Sequence, residues 1–121
     1  MAHSSIWSRR TIPSSAGVDR VRLDKEGFLV DLADWNDVAA LELARREQIE
    51  LTDEHWAVIT ALRDFYRTTG VSPAMRPLVK LIGQRLGAEK GTSIYLLSLF
   101  PGSPAKLAAK IAGLPRPTNC L

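Results

Sequence analysis

The residue in this chain best suited to covalent chemistry is its one thiol. Cys120 stands next to last in the stretch Gly113-Leu-Pro-Arg-Pro-Thr-Asn-Cys-Leu121. A structural cysteine behaves as a small buried hydrophobe, whereas a terminal tail is hard to bury and usually reaches solvent or a partner. The thiolate is the nucleophilic form, and an unperturbed cysteine titrates near about 8.5, so only a few per cent is ionised at neutral pH. Within the tail the carboxylate of Leu121 opposes ionisation, while Arg116 and Lys110 favour it if the tail folds back, or a partner supplies the positive charge. The chemistry expected of such a thiol is acceptance and onward transfer of a group, such as sulfane sulfur held as a persulfide. The alternative is a surface cysteine without a role. Flanking prolines and a capped helix just before the tail argue that its path is specified.

Other constellations carry less. His55, in the first turn of a helix, is a conceivable base for Cys120, but a helix histidine is more often structural. His3 and His55 stand far apart, and one cysteine makes neither an internal disulfide nor a zinc site, so no metal or cofactor is expected. Gly83-Gln-Arg-Leu-Gly87 lacks the Lys-Ser/Thr that a phosphate loop needs. Two helices joined by Thr69-Gly-Val-Ser72 have helix-turn-helix spacing, with Arg76, Lys80 and Arg85 as the basic residues of the second. Any helical bundle produces such pairs.

The elements that must position the tail follow from periodicity. Residues 1–17 are rich in Ser with scattered apolar residues and are expected to form a flexible leader. Val21 and Leu23, a polar Asp24-Lys-Glu-Gly27 turn, then Phe28, Val30 and Leu32 alternating with Leu29, Asp31 and Ala33, predict a β-hairpin. The period then becomes helical. A first helix is expected from Trp35, capped by Asp34, with Trp35, Val38 and Leu41 inward. A second follows Thr52, burying Trp56, Ile59, Leu62 and Phe65 or Tyr66, and stops at Gly70. A third is expected with Ser72 as cap and Pro73 at its first position, kinked at Pro77 and ending at Gly87. A fourth, from about Thr92 to Leu99, points Ile94, Leu97 and Phe100 inward. A fifth starts with Ser103 and Pro104, buries Leu107, Ala108 and Ile111, and ends at Gly113. Pro115 and Pro117 then forbid a helix, and nine extended residues at about 3.3 Å each reach roughly 25 to 30 Å.

Composition bounds the body. The 121 residues are 45% hydrophobic and 24% charged, so one compact domain with a modest core is expected. The formal charge of +3 comes from interspersed signs, as in Glu42-Leu-Ala-Arg-Arg-Glu47, with no basic stripe, and direct nucleic-acid binding is not expected. No apolar run reaches the length of a membrane span and no secretory signal opens the chain, so a cytoplasmic location is expected. The fold class predicted is α+β and mostly α: a small bundle of about five helices with an N-terminal β-hairpin and a mobile C-terminal arm. The predicted boundaries are a leader at 1–17, a helical domain at 18–112 and the arm at 113–121.

Several of these segments also carry a resemblance. Asp24-Lys-Glu-Gly-Phe-Leu-Val-Asp31, Asp34-Trp-Asn36, Leu51-Thr-Asp-Glu-His-Trp56, Ser72-Pro-Ala-Met-Arg76, Leu99-Phe-Pro-Gly102, Pro104-Ala-Lys106 and Ile111-Ala-Gly-Leu-Pro-Arg-Pro-Thr118 with Cys120 resemble, in that order, the DsrC/TusE family of sulfur-relay proteins. The resemblance runs from Leu23 to Leu121. It implies a mostly helical fold and a penultimate cysteine that carries sulfur. It also implies that Leu114, Pro115, Arg116, Pro117, Thr118, Asn119 and Leu121 engage the partner. DsrC proteins proper have a second cysteine in the preceding helix, where Ala109 stands here, so the resemblance is to the single-cysteine, TusE-like subgroup. There a TusBCD-like complex donates the sulfur and an MnmA-like thiouridylase accepts it to make 2-thiouridine in tRNA. The alternative is a single-cysteine binding or regulatory subunit of a sulfite-reductase-like assembly in dissimilatory sulfur metabolism, with DNA as a further conceivable ligand. Asn119 departs from the family's usual Gly before the terminal cysteine; Asn tolerates the left-handed backbone region better than most residues.

Overall fold

The computed structural model describes residues 22–117, so the expected leader at 1–17, Val21, and the tip of the arm with Asn119 and Cys120 lie outside the described residues. Five α-helices make up the body: α1 (Asp37–Arg46), α2 (Asp53–Thr69), α3 (Met75–Leu86), α4 (Ser93–Leu99) and α5 (Pro104–Ile111). A short 3-10 turn at Leu32–Asp34 precedes α1, and another at Ala88–Lys90 joins α3 to α4.

The predicted hairpin is reduced, among the described residues, to one antiparallel bridge between Leu23 and Leu29. The carboxylate of Asp24 closes the turn by accepting the backbone N–H groups of Glu26 (2.9 Å) and Phe28 (3.0 Å). The alternation fails there. Phe28 and Leu29 are both buried and Val30 is exposed, because the chain coils into the 3-10 turn at Leu32 instead of continuing as a strand. Helix α1 is capped by Asn36, which accepts the Ala39 N–H at 2.8 Å, and not by Asp34. Trp35 therefore precedes the helix, and its indole is free to serve another element.

Helix α2 forms as its signals dictate. Thr52 caps it and Gly70, at φ 77, ends it. Its buried face is Val58, Ile59, Ala61 and Leu62, with Trp56, Phe65 and Tyr66 only half-buried. His55 closes the capping box in place of the usual Glu or Gln. Its Nε2–H donates to the Leu99 carbonyl at 2.8 Å, which leaves Nδ1 to accept the Thr52 N–H at 3.1 Å. The ring is buried and stands edge-on to Phe100, with centroids 5.1 Å apart. His55 is thus a strut between α2 and the end of α4, with both nitrogens committed and neither available as a base. His55→Leu leaves a buried carbonyl and a cap donor unpaired and is expected to cost about 2–4 kcal/mol. A urea titration measures that loss, and sulfur acceptance by the variant below its melting temperature is expected to equal the wild type.

Helix α3 starts at Met75 with Ala74 at its N-cap and no side-chain cap, so Ser72 does not cap it. Pro77 falls in the first turn, where its missing N–H is one the helix could not have paired, and no kink is required. Helix α4 is capped by Thr92, whose Oγ1 accepts the Tyr95 N–H at 3.1 Å. It buries Leu96 and leaves Ile94 81% and Leu97 42% exposed, contrary to the predicted phase. The Tyr95 hydroxyl donates to Glu54 in the first turn of α2. Burial, and then the Glu54 carboxylate, push the Tyr95 phenol up to about 12.

Helix α5 is the axis of the bundle and packs against each of the other four helices. Ala105, Ala108 and Ala109 are buried with Ile111, and their small side chains let the neighbours approach closely. Lys110 is only 8% exposed, yet its ammonium reaches Glu47 at 2.8 Å and sits 5.3 Å from the centre of the Phe28 ring. This part-buried pair ties α5 to the end of α1 and to the N-terminal turn. Among the described residues no helix is long and apolar enough to cross a membrane.

Candidate functional site: the root of the arm

The arm leaves the body at the C-terminus of α5, where four backbone carbonyls have no helical partner. All four are satisfied. Gly113, at φ 74, turns the chain so that the Leu114 N–H reaches the Ala109 carbonyl (2.9 Å) and the Gly113 N–H reaches the Lys110 carbonyl (3.1 Å). These two bonds form a Schellman motif. The Trp35 indole N–H donates to the Ile111 carbonyl at 2.9 Å, and Arg63 Nη1 donates to the Ala112 carbonyl at 2.6 Å. The Arg63 guanidinium also stacks over the Trp35 ring, 3.9 Å from its centre. Burial, and secondarily the Arg67 charge, lower the Arg63 pKa from its ordinary value.

Beyond that turn the chain stays on the body. Leu114 is buried in the core, and the Ser72 hydroxyl donates to the Pro115 carbonyl at 2.6 Å. Arg116 pairs with Glu26 of the N-terminal turn and lies 5.7 Å from the Phe28 ring centre. Pro117 is buried. Of the residues expected to meet a partner, Leu114 and Pro117 are turned inward and Pro115 and Arg116 are exposed. Thr118, Asn119, Cys120 and Leu121 lie outside the described residues. The two cations expected to help the thiol ionise, Lys110 and Arg116, are each held by a carboxylate.

The anchors of the root went unread in the sequence. Ser72 has the form of a helix cap, Trp35 of a helix-face residue and Glu26 of a turn residue, and nothing in the local pattern singles out Arg63. Each acts on the arm from 43 to 90 residues away, a distance no local pattern reports. A signal existed for three of them, because Glu26, Trp35 and Ser72 lie in segments that carry the family resemblance.

Comparison with known proteins bears on the same segments. A family model described as "DsrC like protein" matches residues 16–121. The chain belongs to the DsrC family. A relative in Haemophilus influenzae named "Sulfurtransferase TusE homolog" is 54% identical over 101 residues, covering 84% of this chain and 93% of the relative. "Sulfurtransferase TusE" of Photorhabdus laumondii is 50% identical over 101 residues, covering 84% of this chain and 91% of that protein. Among solved structures, that of Allochromatium vinosum DsrC superposes with a TM-score of 0.77 at 48% identity, covering 84% of this chain and 90% of that one. The oxidized gamma-subunit of the dissimilatory sulfite reductase, DsrC, from Archaeoglobus fulgidus gives a TM-score of 0.73 at 42% identity, covering 84% and 92%. The five-helix body is therefore the DsrC fold, and the chain is a sulfur-relay protein of that family.

Proposed function

We propose that this DsrC-family chain is a cytoplasmic sulfur carrier of the TusE type in which Cys120 bears the sulfur. The observation that supports it best is a hydrogen-bonded root just ahead of a short thiol-bearing tip, in a chain about half identical to named TusE sulfurtransferases. In the accepting step the Cys120 thiolate attacks the outer sulfur of a donor persulfide, R–S–SH. A Cys120 S–S bond forms, the donor S–S bond breaks, its electron pair leaves on the donor as R–S⁻, and the proton stays on the transferred sulfur. No net oxidation occurs. The second step is the same exchange with an acceptor thiolate as attacker. The donor proposed is a TusBCD-like complex and the acceptor an MnmA-like thiouridylase, so that the sulfur ends in 2-thiouridine of tRNA. Since Lys110 and Arg116 are already paired, the charge that favours the thiolate comes from the partner in the complex.

A second reading, a subunit of a sulfite-reductase-like assembly, draws on the DsrC structures. Ala109 weighs against its two-thiol chemistry. The residue is fully buried in α5 at the position where a second cysteine would be expected, and it offers no sulfur for an internal linkage. The DNA-binding variant loses Arg85, which is paired with Asp64 at 2.9 Å.

The test is a relay in two stages. Reduced protein is exposed to persulfide-charged donor complex, then isolated and mixed with acceptor enzyme and tRNA. The expected result is a reductant-reversible gain of one sulfur by intact-mass spectrometry, followed by its loss and the appearance of thiolated tRNA. Loading without any transfer to tRNA thiolation would move the chain to the sulfite-reductase reading.

A further inference from the structure

While the root stays fastened at Pro115 and Arg116, with Pro117 buried, only three Cα-to-Cα steps separate the buried chain from Cys120. Whatever path they take, they span at most about 11 Å. A thiol or persulfide that exchanges sulfur with Cys120 must come within that span, plus the length of the cysteine side chain, of Pro117, so its protein must cover the surface there. This argument rests on the carrier reading above.

That surface has a definite form. A groove of about 160 Å³ runs beside the arm, lined by Tyr66, Gly70, Val71, Ser72, Pro115 and Arg116. Val71 is an apolar side chain 53% exposed at the tight loop between α2 and α3. Hydrogen bonds shape the loop: Gly70 takes the left-handed turn, and the Val71 N–H donates to Thr69 Oγ1 at 3.3 Å while that hydroxyl donates to the Phe65 carbonyl at 2.8 Å. At the edge lies the half-exposed Arg116–Glu26 pair. An apolar knob on a hydrogen-bonded loop, a shallow groove and a charged rim make the pattern of a small protein–protein contact.

We infer that the groove at the arm's root, with Val71 as its apolar anchor, is the docking surface for the persulfide-bearing protein that exchanges sulfur with Cys120. The groove sets the approach and the short tip completes the reaction.

The experiment compares two donors on the full chain. Inorganic polysulfide is a small donor that needs no docking surface; the persulfide-charged TusBCD-like complex needs one. Val71→Asp is expected to load from polysulfide within twofold of wild type and to lose at least tenfold in kcat/KM with the complex, mainly through KM. Val71→Ile is expected to keep wild-type transfer, and Ile94→Asp, on the exposed face of α4 and outside the groove lining, is expected to change nothing. Circular dichroism and a thermal melt verify that each variant is folded. Wild-type transfer by Val71→Asp, or an equal loss in Ile94→Asp, overturns the docking surface. If wild type itself takes no sulfur from polysulfide or from the complex, the carrier reading falls and the docking proposal falls with it.

Discussion

Cys120→Ser is expected to abolish sulfur acceptance from every donor while leaving the melting temperature within about 1 °C of wild type. The two halves of that result have separate causes. A serine hydroxyl is not ionised near neutral pH and is a poor attacker of divalent sulfur, so the S–S exchange has no nucleophile, and no other thiol exists in the chain. Stability is spared because the described bonds that hold the arm are made at Pro115 and Arg116, and the core cluster of described residues ends at Leu114, all ahead of the substituted residue. Intact-mass spectrometry after loading, beside a thermal melt, checks both halves. A Ser variant that still gained a reversible sulfur would overturn the assignment of Cys120.

The second large effect is expected at Gly113. Its φ of 74 lies in the left-handed region, where a side chain costs about 1 kcal/mol or more. A Cβ built there would also lie 2.2 Å from Trp35 Cδ1 and 2.6 Å from Cγ. The indole must then move, and with it go the bond to the Ile111 carbonyl and the Arg63 stack. Gly113→Ala is expected to cost about 3–5 kcal/mol and to detach the root. Gly70→Ala is the matched control: φ is 77, but nothing lies within 4 Å of the new methyl group, so only about 1 kcal/mol is expected. Urea midpoints of the two variants give the difference directly. Equal losses would mean that the Trp35 contact contributes nothing.

The sequence was legible where structure is local. Thr52 and Gly70 bound α2 because an N-cap hydroxyl and a left-handed glycine act within one turn of the helix they delimit. The five helices and their order follow from the same kind of signal. Legibility fails where a residue's partner is distant. Ser72 before Pro73 has the form of a helix start, but its hydroxyl is taken by Pro115. Phe28 and Leu29 alternate as a strand should, yet both turn inward because one packs under Lys110 and the other pairs with Leu23. Helix α4 is seven residues long, under two turns, so its apolar residues do not fix a phase and Ile94 emerged outside. The thiol was evident at once; the body's grip on the chain that carries it was not.

That grip has a consequence for rate. The effective concentration of a tethered thiol falls roughly as the −3/2 power of the length of free chain, so shortening that chain from about eight links to about three raises it about fourfold. Fastening Pro115 and Arg116 to Ser72 and Glu26 thus raises the local concentration of the carried sulfur about fourfold, without any change in the thiol itself.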